Sequence, residues 1–194
     1  MTATATSLKS GRVYRTRDLA VFSANPTRWA RRLVERGEIR QLAQGLFDRP
    51  RQGRFGPRLP DDRELMRAFL GDSHFVFTGP PAWNAQGLGS TALFAAVLVY
   101  NLHRSGSFTF GGQRYLLRRV RFPEPAPREW FVVDLFENAD MAGADPAVLE
   151  TALGSALRNG RFDAARLLRM AEEYGTRETL ARVKRALSAA KAGR

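Results

Sequence analysis

The chain contains no cysteine, which excludes disulfides, thiolate nucleophiles and thiolate metal ligands at once. Histidine is almost absent too. His74 and His103 have no acidic or histidine neighbours at ligand spacing, so no metal and no cofactor is expected. No hydrophobic run approaches the roughly 20 residues that a membrane-spanning helix requires; the longest extends from Ala92 to Tyr100. The Thr/Ala-rich start, Met1 to Ser7, lacks the apolar centre of a signal peptide. A protein of the cytoplasm, without a membrane partner, is the expectation. No internal repeat or low-complexity stretch is visible.

Lysine is scarce as well, occurring only at positions 9, 184 and 191, yet the formal charge is +12. The basic character is therefore almost wholly arginine, whose planar fork suits bidentate contact with phosphate and guanine. Arginine in place of lysine also follows from a GC-rich genome, so position rather than number carries the argument. Residues 1 to 60 hold 13 Lys and Arg against four acids, a net of +9, which leaves +3 for the remaining residues. Such an excess raises the local concentration of a polyanion.

Punctuation divides the chain into three regions. Residues 1–50 precede a Gly/Pro/Arg stretch over 51–60 that reads as a linker, and 61–194 follow as a mixed α/β domain. Within it, 75–136 read as β-rich. A helix is expected over Asp61–Leu70, a strand over Phe75–Thr78 and a short helical piece near Ala82–Gln86. Further strands are expected over Leu93–Asn101, over Phe108–Phe110 joined across Gly111-Gly112 to Arg114–Phe122, and over Trp130–Phe136. Residues 145–190 are helical by periodicity, with Asp145-Pro146 opening a helix that carries Leu149, Leu153 and Leu157 on one face.

The basic first region has a pattern of its own. Thr16–Phe22 reads as a short helix, Ser23-Ala24-Asn25-Pro26 breaks it, and a second helix runs from Thr27 to Arg36 before Gly37. On that second helix Ala30, Leu33 and Val34 share one face, while Arg28, Arg31, Arg32 and Glu35 share the other. Glu38–Leu42 and Gly45–Arg49 can pair as a hairpin through Ala43-Gln44-Gly45. Two helices about a tight turn followed by a hairpin make a winged helix-turn-helix, whose second helix lies in the major groove. The fold class is thus α+β: this winged unit, a mixed domain and a helical C-terminus. Arg28, Arg31 and Arg32 are the candidate base and phosphate contacts, with Thr27 and the cap Asn25 at the helix start. Arg15 precedes the first helix and Arg17 lies in its first turn, and Arg40, Gln41 and Gln44 sit on the wing. Trp29 reads equally as core or as a surface stacked over the arginines.

Two segments resemble the AbiEi-type antitoxins of type IV toxin–antitoxin systems and related transcription regulators. One is the run Leu42-Ala-Gln-Gly-Leu-Phe-Asp-Arg-Pro50, similar to that family's wing, with Gln44 and Phe47 where arginine and tyrosine are common. The other is Thr78-Gly-Pro-Pro-Ala-Trp-Asn-Ala-Gln-Gly-Leu-Gly-Ser90, followed by Val99-Tyr-Asn101 and Leu116-Leu-Arg-Arg-Val120. The resemblance implies an autorepressor bound to inverted repeats in its own promoter, an arrangement that a homodimer on DNA would match. It also implies antagonism of a nucleotidyltransferase-like toxin without a stable complex. The departures at Gln44 and Phe47 leave room for a stand-alone regulator, and the basic surface alone is equally open to RNA.

Enzymatic readings fare worse. Gly87-Leu-Gly-Ser-Thr-Ala92 has the form G-x-G-x-x-A but does not sit between a strand and a helix, as a dinucleotide site requires. It reads as a turn. Asp134 and Glu137 could suggest a nuclease-like carboxylate pair, but no lysine lies near them, and they read as solvated strand-end groups. The expectation is a binding protein, not an enzyme.

Overall fold

The structure is a computed structural model that describes residues 7–54, 56–71, 74–90 and 93–192. It is a mixed α+β chain dividing into two compact units. Unit 1 comprises residues 1–75 with 107–115, and unit 2 comprises 76–106 with 116–194. The expected limits at 1–50, 51–60 and 61–194 do not coincide with this division.

Unit 1 begins with β1 (Val13–Arg15), a 3₁₀-helical turn (Thr16–Val21) and α1 (Pro26–Glu35). β2 (Arg40–Ala43) and β3 (Leu46–Asp48) follow, and the three strands form an antiparallel sheet in the order β1-β3-β2. A bulge between Gln41 and Ala43 breaks the register against β3. Gly45, at φ +71°, supplies the left-handed residue that lets so short a connection reverse the chain. One face of the sheet and the inner faces of both helical pieces share a core of Leu8, Leu19, Trp29, Ala30, Leu33, Ile39 and Phe47.

The stretch 51–60 is not a linker. It contains β4 (Arg51–Gly53) and β5 (Gly56–Arg58), which pair Arg51 with Arg58 and Gly53 with Gly56. Its glycines, proline and arginines give no apolar alternation, and among the described residues these strands pair only with each other, so nothing in the composition marks them. α2 (Asp62–Leu70) follows, capped by the Asp61 carboxylate. Residues 107–115 join unit 1 because Phe69 packs its ring against Phe108 and Phe110, at 4.9 and 4.7 Å between centroids. Tyr115 donates its hydroxyl proton to Asp62 Oδ1 at 2.6 Å.

Next come β6 (Phe75–Thr78), α3 (Pro80–Asn84), β7 (Val97–Asn101), β8 (Gly106–Phe110) and β9 (Gln113–Arg119), with the sheet order β6-β7-β9-β8. The expected strand at Leu93–Asn101 thus starts only at Val97. Gly87 and Gly89, both at positive φ, stand in the turn after α3; Thr91 and Ala92, which end the Gly87–Ala92 run, lie outside the described residues. Unit 2 is then helical: α4 (Arg128–Glu137), α5 (Pro146–Arg158), α6 (Ala164–Tyr174) and α7 (Arg177–Ala192).

α4 corrects the expected strand at Trp130–Phe136, and with it the β-rich reading of 120–136. Glu129, Trp130 and every residue from Val132 to Phe136 are buried. A segment apolar on all sides has neither the period of an amphipathic helix nor that of a half-buried strand. Asp134 is accordingly no solvated strand-end carboxylate: it lies on this helix, 4% exposed. Glu137, one turn further on, is exposed.

Candidate nucleic-acid interface

α1 is built by its ends. The Asn25 side chain accepts a hydrogen bond from the Arg28 amide at 3.0 Å, Pro26 takes the first helical position, and Gly37, at φ +69°, ends the turn. Trp29, Ala30 and Leu33 fill the buried face. Trp29, open between two roles in the sequence, is core: it is 3% exposed and stacks on Phe22 with 6.0 Å between centroids. Asn25→Ala should cost about 1 kcal/mol, read as an earlier urea midpoint, with Asn25→Asp retaining most of the stability.

The opposite face presents Thr27, Arg28, Arg31 and Arg32, all exposed. Arg31 Nε lies 3.0 Å from Glu35 Oε1, with the arginine side chain 82% exposed. A pair so exposed contributes little and exchanges readily for a stronger anion. Among the described residues no ion pair engages Arg28 or Arg32. Gln41 and Gln44, on β2 and in its turn, are exposed as well.

Two sequence candidates have other duties. Arg15 Nε and Nη2 donate to the Ala68 and Phe69 carbonyls at the end of α2, so this guanidinium satisfies helix carbonyls that would otherwise lack partners. Arg40 grips Asp48 in a fork, Nε to Oδ1 at 3.1 Å and Nη2 to Oδ2 at 2.6 Å, and Nη2 also reaches the Arg58 carbonyl at 2.6 Å. Asp48 is fully buried on the central strand. Arg40 is therefore the internal counter-ion of Asp48. Arg17 remains at the surface, 69% exposed and 3.7 Å from Asp18. Asn25, Thr27, Arg28, Arg31 and Arg32 thus stand exposed at the start and along the outer face of α1, and Gln41 and Gln44 stand exposed on the hairpin.

Among the described residues there is no cluster of three or more His, Asp or Glu that could hold a metal, and no helix is long and apolar enough to cross a membrane.

No protein-family model and no curated protein matches the chain. Among solved structures, the crystal structure of the RV2827C protein from Mycobacterium tuberculosis is similar. The match has a TM-score of 0.51 at 15% identity, and covers 96% of this chain and 74% of that one. At that identity the likeness concerns the fold alone, a mixed α+β architecture.

Proposed function

We propose that unit 1 is a winged helix-turn-helix that binds duplex DNA, with α1 in the major groove and the β2–β3 hairpin as the wing. The observation that carries this reading is the division of labour on α1. Its apolar face is wholly consumed by the core, and the three arginines of the other face project from a capped, rigid helix next to a hairpin. The order β1, 3₁₀ turn, α1, β2, β3 with sheet order β1-β3-β2 supports it, as does the charge of +9 within residues 1–60. We read the whole chain as a binding protein, a transcriptional autorepressor. The AbiEi-type resemblance further suggests the antitoxin of a type IV system, with a nucleotidyltransferase-like toxin as its antagonist.

Gel-shift titration of the duplex upstream of the chain's own gene tests the first part, with structured RNA as competitor. Tight duplex binding that RNA fails to displace is expected; preference for RNA overturns it. Arg31→Ala should lose about 1–3 kcal/mol of duplex affinity and relax base preference at one position if the contact is to guanine. Unchanged affinity and preference removes Arg31 from the interface. Co-expression with a nucleotidyltransferase encoded beside it tests the second part: relief of growth arrest supports the antitoxin, and no relief favours a stand-alone regulator.

A further inference from the structure

Unit 2 contains a cleft of about 210 Å³ whose lining includes Tyr100, Arg118, Arg121, Trp130, Glu137 and Tyr174. Its floor is a polar network inside an apolar core. Asn138 Nδ2 donates to Asp134 Oδ1 at 3.0 Å and to Tyr100 Oη at 3.0 Å, and Arg118 Nη1 donates to Asn138 Oδ1 at 2.8 Å. Asp134 and Asn138 are 4% and 6% exposed. Fixing these groups at the base of an opening is costly, and it holds the Arg118 guanidinium at the wall with N–H groups beyond the one given to Asn138.

Charge is sorted across the cleft. The cations, Arg118 and Arg121, come from the end of β9 and the chain just after it, whereas the carboxylates, Asp134 and Glu137, come from α4. Glu137 Oε1 accepts the Thr176 amide at 2.7 Å, a bond that engages one of its two oxygens, and the residue lines the cleft. Trp130, Tyr100 and Tyr174 supply apolar walls, with Trp130 edge-on to Tyr100 at 6.1 Å. The volume lies below the roughly 300–1,000 Å³ of sites for drug-sized ligands.

We propose that this cleft binds a free zwitterionic α-amino acid with an apolar side chain, its carboxylate on Arg118 and Arg121 and its ammonium on Glu137. The juxtaposition of two guanidinium groups and a carboxylate across aromatic walls selects that chemistry over a simple anion, and it stands apart from the duplex reading of unit 1. Isothermal titration of the full chain with L-phenylalanine and with L-leucine tests it. Saturable heat at one ligand per chain is expected from at least one of them. Affinity should fall at least tenfold for 3-phenylpropionate and phenethylamine, which each lack one charge. Arg121→Leu and Glu137→Gln should each weaken binding at least tenfold; the glutamine keeps an acceptor for Thr176, and unchanged thermal unfolding would show that both variants are folded. Absence of heat from both amino acids overturns the proposal. So does binding that survives in both variants, or inorganic phosphate displacing the amino acid at equal concentration.

Discussion

Replacing Arg40 by methionine is expected to cost about 3–5 kcal/mol of folding stability, seen as a lower urea midpoint with unchanged slope. Asp48 sits on the central strand of the β1-β3-β2 sheet with no exposure, and Arg40 is the cation that grips both of its oxygens. The partners differ in access to water, since the Arg40 side chain is 31% exposed. Removing the arginine therefore strands a charge that cannot rehydrate without opening the sheet. Removing the aspartate leaves a guanidinium that can turn outward. Arg40→Met should thus be worse than Asp48→Asn, and the double variant Arg40→Met/Asp48→Leu should recover most of the loss, because an apolar pair of similar volume needs no counter-ion. On the proposed duplex-binding reading, Arg40→Met, once folded at low temperature, should bind duplex within about twofold of the wild type, or roughly 0.4 kcal/mol. A tenfold loss of affinity in a folded variant, with little loss of stability, would return Arg40 to the interface.

The elements around α1 were legible because local chemistry sets them. Asn25-Pro26 opens the helix, Gly37 closes it, and the spacing of Ala30 and Leu33 assigns its buried face. The hairpin was legible for the same reason, through the Ala43-Gln44-Gly45 turn between two short segments. What escaped is non-local. Arg15 and Arg40 look like any other surface arginine, and only the fold brings the α2 carbonyls, 53 and 54 residues on, to the first. Asp48 lies eight residues from Arg40, but a carboxylate between Phe47 and Arg49 carries no sign that strands flank it on both sides. α4 failed for another reason: a core helix with no polar side has no period to read. Its one hint is the Asp134–Asn138 spacing, which places two polar groups one helical turn apart.

That pair bears the second large effect. Asp134→Ala is expected to cost about 4 kcal/mol, by leaving several buried donors without an acceptor at about 1–3 kcal/mol each. Thr78 Oγ1 and Trp83 Nε1 donate to Oδ2, the latter at 2.7 Å, while Asn138 Nδ2 donates to Oδ1. Trp83 is itself fully buried, so its indole N–H has no route to water. Two influences act on the carboxyl. Burial pushes its pKa up, the donors from Thr78, Trp83 and Tyr100 and the charge of Arg118 pull it down, and burial prevails. A carboxyl whose folded pKa exceeds its unfolded one contributes stability that is fully present below the unfolded value and is lost as pH rises through the folded value. Asp134→Asn removes this titration while nearly preserving shape. Its deficit against the wild type should therefore be larger near pH 4 than near pH 7, since the remaining carboxylates cancel in the difference. Paired urea titrations at the two pH values read the sign directly, and a deficit that grows with pH would show that the donors, not burial, govern Asp134.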